Sequence, residues 1–185
     1  MVRYYNSFYI NLMEVLFMDT VCVTGHRPDR MFGYDLSNEG WVTLKEQFKK
    51  ILKEENVKTA ITGMALGTDM VFAYAIFELQ EEGYPIKLIA AVPCKNQDSI
   101  WNDESKRMFH EILDKADETI YVSEEEYTKG CLEARNRYMV DNSDGVISVW
   151  DGVPKGGTFH CICYAKKVGK PIYEIKVVKT TRVSK

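Results

Sequence analysis

Short runs of β-branched and apolar residues alternate along this chain with stretches of helical periodicity, and this alternation constrains the fold more than any other feature. The segment after the first run, which begins at Ser37 or Asn38, carries the helical apolar positions Trp41, Leu44, Phe48, Ile51 and Leu52. Six runs are predicted to be strands: 20–24, 57–62, 86–92, 118–122, 145–150 and 171–177. The sequence therefore predicts one α/β domain, with a mostly parallel sheet of about six strands and helices on both faces.

The predicted domain covers residues 18–178, and the two ends of the chain are set apart from it. Residues 1–17 are partly apolar, but their apolar stretch contains Asn11 and Glu14 and is too short to cross a bilayer. We interpret them as an N-terminal extension that either packs as an extra helix or frays. Residues 179–185 are predicted to be a disordered tail. No membrane contact is predicted.

Composition narrows the classes of partner and the cellular compartment. The chain has 24 basic and 27 acidic residues, a net charge of −3, whereas proteins that coat nucleic acid usually carry a basic excess. Five cysteines without a regular spacing indicate free thiols in a reducing compartment, so we predict a cytoplasmic protein. With only three histidines and no CxxC pair, no metal site is predicted.

Two glycine-rich turns follow predicted strands and open helices, namely Gly63-Met-Ala-Leu-Gly67 and Gly156-Gly-Thr158. Glycine lets the backbone approach a phosphate closely, and the free N–H groups of a first helical turn favour an anion. Each turn alone is equally well explained as an ordinary connection with a capping threonine, Thr68 or Thr158. Because both turns lie at the carboxyl edge of one parallel sheet, a shared ligand cleft is favoured. Neither spacing matches a dinucleotide fingerprint or a P-loop.

Three further residues are candidates for this cleft. Asp69 lies in a first helical turn, where the helix dipole alone accounts for a carboxylate, but it also suits ribose hydroxyls. Arg135 and Asn136 lie at the margin of a predicted helix. There an arginine is commonly just solvated, although in a cleft it is a bidentate ligand for phosphate.

The motifs taken together resemble a known family. TGHRP (24–28), GMALGTD (63–69), ARNRYMVDNSDGVISVWDG (134–152) and GGT (156–158) are similar to the uncharacterised YpsA-like branch of the SLOG superfamily. That superfamily also includes the DprA DNA-processing proteins and the Lonely Guy phosphoribohydrolases. The resemblance covers about residues 18–177.

The resemblance implies a Rossmann-like sheet with a pocket for nucleotides or their derivatives. It also implies that Trp101, which matches a tryptophan of the YpsA-like branch, forms a wall of the pocket. The ligand-binding residues predicted from the motifs and the resemblance together are Gly25, His26, Arg27, Gly63, Ala65, Gly67, Thr68, Asp69, Trp101, Arg135, Asn136, Gly156, Gly157 and Thr158.

The sequence departs from the Lonely Guy pattern at the catalytic position. Those enzymes cleave the N-glycosidic bond of a nucleotide with an arginine and with the glutamate of PGGxGTxxE. The corresponding stretch here is PKGGTFHC, with Cys161 at the glutamate position. Arg135 matches the arginine, whereas the acid would have to be Asp69 or Asp151.

We therefore predict a protein that senses or sequesters a nucleotide-derived small molecule, such as an ADP-ribose or NAD-like compound, without a required cofactor. The first alternative is a nucleotide N-glycosidase that uses Asp69 and Arg135. The second alternative is binding of single-stranded DNA, against which the acidic balance argues. Nucleic acid is accordingly not the predicted partner, and pairing into a homo-oligomer is compatible with the fold.

Overall fold

The computed structural model describes residues 18–177, so the predicted N-terminal extension and C-terminal tail lie outside the described residues. Within them the strands are β1 (Thr20–Gly25), β2 (Thr59–Thr62), β3 (Lys87–Val92), β4 (Glu118–Tyr121), β5 (Gly145–Trp150) and β6 (Ile172–Lys176). The α-helices are α1 (Glu39–Glu54), α2 (Thr68–Glu81), α3 (Asp103–Lys115), α4 (Cys131–Asp141) and α5 (Gly156–Lys167). A short 3-10 helix, Pro28–Arg30, follows β1.

The six strands form one sheet in the order β4-β3-β2-β1-β5-β6, and every neighbouring pair is parallel. From β1 the chain builds outward to β4, then returns to the other side of β1 as β5. The carboxyl ends of β1 and β5 therefore flank the point where the strand order reverses, which is where ligands bind in sheets of this kind. The predicted Rossmann-like α/β domain is confirmed.

Helices cover both faces of the sheet because side chains alternate along each strand. Val21 and Val23 of β1 contribute to a large core with α1, α2 and α3. Cys22, between them, faces a smaller core formed with α4 and α5. The five cysteines are all free, as predicted. None of the helices within residues 18–177 is long and apolar enough to cross a membrane.

Two of the helices, α1 and α3, begin at asparagines that cap them. The Asn38 side chain accepts a hydrogen bond from the Gly40 N–H (2.9 Å), and Asn102 accepts one from the Ser105 N–H (2.8 Å). Each satisfies a backbone donor that the helix itself leaves free. The apolar positions predicted for α1 are all buried.

Candidate functional site

A cavity of about 360 Å³ lies at the carboxyl edge of the sheet, beside the end of β1 and the start of α5. Its volume is within the range of small-molecule sites. Its walls come from β1, the 3-10 helix, the first glycine turn, α2, α4 and α5. The lining residues are Val23, Thr24, Gly25, His26, Arg27, Asp29, Arg30, Ala65, Asp69, Leu132, Arg135, Asn136, Met139, Gly157 and Thr158.

The carboxylate of Asp69, in the first turn of α2, occupies the first glycine turn. The Ala65 N–H donates to Asp69 Oδ2 at 3.1 Å, and Thr62 Oγ1 donates to the Asp69 carbonyl at 2.9 Å. The Ala65 amide is therefore not free for a phosphate, which differs from the expectation for this turn. What the turn presents to the cavity is Asp69, a buried carboxylate held in a fixed orientation.

Arg135 is buried, with 5% of its surface exposed, and not at a solvated helix margin as its position in the sequence suggested. Its Nη1 lies 3.6 Å from Asp69 Oδ2, an ion-pair distance that is too long for a hydrogen bond. Nε donates to Asn136 Oδ1 at 3.0 Å. Among the described residues, Nη1 has no hydrogen-bond partner. A buried guanidinium nitrogen of this kind indicates a place for an acceptor that a ligand supplies.

Burial has opposite effects on the two members of this ion pair. It raises the pKa of Asp69, against the opposing effect of Arg135 and of the Ala65 hydrogen bond. It lowers the pKa of Arg135, against the opposing effect of Asp69, although a guanidinium keeps its charge in proteins. Burial therefore disfavours the charged form of both members of the pair.

The second glycine turn has no side-chain cap. The helix α5 begins at Gly156, whose φ of 86° favours glycine, and its N-cap residue Lys155 makes no side-chain capping hydrogen bond. The first-turn N–H groups, next to the cavity-lining Gly157 and Thr158, form the kind of surface that binds an anion. The two turns thus share one cavity but have different chemistry.

The side chain of His26, which follows β1, contacts Asp151, which follows β5. Its Nε2 lies 3.0 Å from Asp151 Oδ1, and its Nδ1 lies 3.4 Å from Thr158 Oγ1. Arg30 donates to both oxygens of Asp151, at 3.0 and 2.8 Å. Partial burial raises the pKa of Asp151, but the hydrogen bonds from His26 and Arg30 outweigh this effect and lower it below the usual range.

The two threonines do not act as N-caps. Thr68 follows the N-cap residue Gly67, and its hydroxyl donates to the His26 carbonyl at 2.9 Å. Thr158 lies in the first turn of α5, beyond the N-cap residue. The sequence places each hydroxyl near a helix start, but tertiary partners decide what it bonds.

The structure brings nine of the predicted ligand-binding residues together in the cavity lining and leaves five outside it. Trp101 packs edge-to-face on Phe109, with ring centroids 5.4 Å apart, and belongs to the margin of the larger core. Gly63 and Gly67 lie behind the lining, where they permit close approaches of other groups. Those outside the lining are Gly63, Gly67, Thr68, Trp101 and Gly156.

Sequence reasoning missed several residues of the lining. Arg30 is the most informative, because the one-turn 3-10 helix places it on the cavity together with Arg27. The spacing of three residues between these arginines was the available signal. The other lining residues that were not predicted are Val23, Thr24, Asp29, Leu132 and Met139.

The fold is similar to that of two solved DprA structures. A DNA processing protein A from Helicobacter pylori, described for its single-stranded DNA binding mode, superposes with a TM-score of 0.59 and 23% identity, covering 91% of this chain and 70% of that one. DprA from Streptococcus pneumoniae gives a TM-score of 0.61 and 20% identity, covering 90% of this chain but only 53% of the other. At these identities the likeness concerns the fold.

This likeness contradicts the expectation that nucleic acid is not a partner, because one of the matched structures is of a protein that binds single-stranded DNA. The expectation rested on the net charge of the whole chain. Net charge averages over the surface, whereas Arg27, Arg30 and Arg135 gather at one cavity. Three arginines at one cavity are thus compatible with an acidic protein, and Asp29 and Asp69 line the same cavity.

Relatives of similar length extend over most of the chain. It is 34% identical over 147 residues to the uncharacterised SPbeta prophage-derived protein YoqJ of Bacillus subtilis, covering 71% of this chain and 85% of that protein. A UPF0398 protein of Listeria monocytogenes is 30% identical over 146 residues, covering 75% of this chain and 80% of the relative. The model of the YspA SLOG family (YpsA) matches residues 21–183. The chain therefore belongs to the YspA SLOG family.

Proposed function

We propose that this chain is a cytoplasmic protein that binds a nucleotide or nucleotide-derived small molecule at the carboxyl edge of its sheet. The observation that carries the proposal is Arg135, a buried residue of the cavity lining whose Nη1 has no hydrogen-bond partner among the described residues. A buried donor without an acceptor is costly, and a ligand oxygen removes that cost.

The phosphate of the ligand binds, in this proposal, between Arg135 and the first turn of α5. The uncapped amides around Gly157 supply hydrogen bonds, and the helix dipole favours negative charge. Arg27, which is exposed at the rim, adds a second cation. The first glycine turn takes no phosphate, because Asp69 occupies it and would repel a second anion.

The sugar of the ligand binds near Asp69. A carboxylate is an acceptor-only group when ionised, and the adjacent hydroxyls of a ribose are suitable donors for it. Asp69 and the α5 turn line the same cavity, so a ligand that carries a sugar next to a phosphate satisfies both. ADP-ribose and NAD-like compounds contain this combination.

Thermal-shift measurements with nucleotides, ADP-ribose and NAD test the proposal, because a ligand that binds only the folded state raises the melting temperature. At a concentration about 100-fold above Kd the stabilisation is about 2.7 kcal/mol. Arg27→Gln is expected to weaken the shift without a loss of folding, since Arg27 is exposed. Arg137→Gln is the matched control, because Arg137 lies on α4 but pairs with Glu133 on the helix surface.

Arg135→Gln is expected to abolish the shift, and its own melting temperature must be compared first. Removal of one member of a buried ion pair costs about 3–5 kcal/mol, so a lower starting stability is expected. If no compound at millimolar concentration shifts the wild-type protein, the proposed function is wrong.

A second candidate function is cleavage of the N-glycosidic bond of a nucleotide. The observation that favours it is the raised pKa of buried Asp69, which suits a general acid, beside Arg135 in the cavity. Incubation with nucleoside monophosphates would release free base, and Asp69→Asn would stop the release. An unchanged rate in Asp69→Asn would exclude Asp69 as the acid.

Single-stranded DNA is distinguished from a small ligand by measuring the affinity for each at several salt concentrations. A bound oligonucleotide contacts several phosphates, so its affinity falls steeply with salt, whereas that of a mononucleotide falls less. Oligonucleotide binding that the preferred nucleotide does not displace would favour a DNA surface outside the cavity.

A further inference from the structure

Thr158, His26 and Asp151 form a hydroxyl–imidazole–carboxylate chain at the wall of the cavity. Thr158 Oγ1 lies 3.4 Å from His26 Nδ1, and His26 Nε2 lies 3.0 Å from Asp151 Oδ1. The three residues come from the first turn of α5, the end of β1 and the end of β5. Residues far apart in sequence thus meet in the order that activated nucleophiles use.

The hydrogen bonds assign the tautomer of His26. A carboxylate only accepts hydrogen bonds, so Nε2 beside Asp151 carries the proton. The Asp151 N–H also lies 3.3 Å from Nε2, but the charged carboxylate is the stronger partner. In the neutral ring Nδ1 is then the acceptor, and it faces the Thr158 hydroxyl. The imidazole is thereby set to receive a proton from Thr158.

Asp151 is held ionised and oriented for this task. Arg30 donates to both of its oxygens, and the Val153 N–H donates to Oδ1 at 3.1 Å. The same contacts keep the pKa of Asp151 below its usual range. His26 is only 3% exposed, so its ring is fixed and largely withdrawn from water. The distance of 3.4 Å to Thr158 is at the long end of a hydrogen bond, as catalytic contacts often are before a ligand binds.

We propose that Thr158 is a nucleophile toward the phosphorus of a phosphate monoester bound at the start of α5, with His26 as its general base and Asp151 as a positioning residue. This rests on the proposed function, because the α5 turn must first hold the phosphate. Thr158 lines the cavity next to Gly157, so its hydroxyl borders the phosphate position. The proposal adds phosphate-ester hydrolysis to binding.

The reaction balances in two steps. In the first, Thr158 Oγ1 forms a bond to phosphorus, its proton passes to His26 Nδ1, and the ester P–O bond breaks. The released sugar oxygen takes the proton from His26. In the second, water attacks the phosphothreonine, its proton passes through His26 to Thr158 Oγ1, and inorganic phosphate leaves. The net change is phosphate ester plus water to alcohol plus phosphate.

The test uses the full chain with nucleoside 5′-monophosphates and with p-nitrophenyl phosphate. We would measure released phosphate, and peptide mass spectrometry after an acid quench would detect a phosphoryl group on Thr158. Thr158→Val removes the hydroxyl at nearly constant volume and is expected to reduce both signals to background, whereas Thr158→Ser retains them. Thr43→Val, at an exposed position of α1, is the matched control and is expected to leave both signals unchanged.

The two remaining members of the chain are tested by their effects on rate and binding. His26→Gln is expected to lower kcat by about 10²- to 10⁴-fold, the usual contribution of a general base. Asp151→Asn is expected to lower kcat while KM stays near the wild-type value. Because a loss of folded protein would also lower the apparent kcat, the rate is referred to the folded fraction measured by circular dichroism.

Each outcome decides between the two proposals. Nucleotide binding without phosphate release or phosphothreonine would overturn the nucleophile and leave the binding function intact. Phosphate release that persists in Thr158→Val would also overturn it. If neither binding nor release is seen, the proposed function fails, and the nucleophile fails with it.

Discussion

The absent side chain of Gly63 is what allows Arg135 to reach Asp69. A methyl group at this glycine would lie 1.9 Å from Arg135 Nη1 and 2.8 Å from Asp69 Oδ2, so these buried side chains would have to move. Gly63→Ala is therefore expected to displace the guanidinium, to lower the free energy of unfolding by about 1–3 kcal/mol and to abolish the nucleotide-induced thermal shift. Urea denaturation and thermal-shift measurements would check both effects.

Gly157→Ala provides the comparison for stability, because nothing lies within 4 Å of a methyl group built there. It is expected to keep the wild-type free energy of unfolding or to gain slightly from lower chain entropy in the unfolded state. A stability loss in Gly157→Ala equal to that in Gly63→Ala would mean that the close approach of Arg135 is not the cause.

Asp151 is expected to contribute stability that depends on pH. Its folded-state pKa is lowered from the ordinary value of 3.8, so the contribution is fully present above that value and is lost as the pH falls through the folded-state pKa. Asp151→Asn should flatten this part of the acid-unfolding curve, measured as melting temperature against pH. The control is Asp114→Asn, at an exposed position of α3, which should leave the wild-type pH dependence unchanged. Parallel curves for wild type and Asp151→Asn would contradict the expectation.

At the scale of the elements, the N-cap of α3 can be tested on its own. Asn102 accepts a hydrogen bond from the Ser105 N–H at 2.8 Å. Asn102→Ala is expected to lower the free energy of unfolding by about 1 kcal/mol. Asn102→Gly is expected to lower it by only a few tenths of a kcal/mol. Denaturant unfolding of the two variants would measure both losses, and an Asn102→Ala variant as stable as the wild type would show that the side-chain hydrogen bond contributes nothing.

The elements themselves were predictable, since every strand begins and ends within two residues of its expected bounds. Buried runs such as β5 are continuous in sequence, and Asn38 marks the start of α1, so local signals suffice. The state of Arg135 was not predictable in this way. Its place on α4 suggests a solvated margin, and only the missing side chain of Gly63, from another element, makes room for it inside.

The same distinction applies to the two glycine turns. Their convergence on one cavity followed from the parallel order of the strands, and it is found. Their different chemistry did not follow, because the sequence does not show that Asp69 folds back onto the Ala65 amide. The pairing of Arg30 with Asp151 likewise joins segments that are 121 residues apart.

At the scale of the whole molecule, the sheet order predicts a gradient of local stability from the centre to the edges. Every residue of β5 is buried, whereas β4 at one edge and β6 at the other are largely exposed. Central strands usually open only with global unfolding, and edge elements open earlier. Amide hydrogen exchange should therefore give β1 and β5 the full free energy of unfolding and give β4 and β6 smaller values. A nucleotide bound at the cavity should raise the protection of β1 and β5 as global stability rises, while exchange from β4, which opens locally and far from the site, stays unchanged. Uniform protection across all six strands would contradict this expectation and would mean that the sheet opens as one cooperative unit.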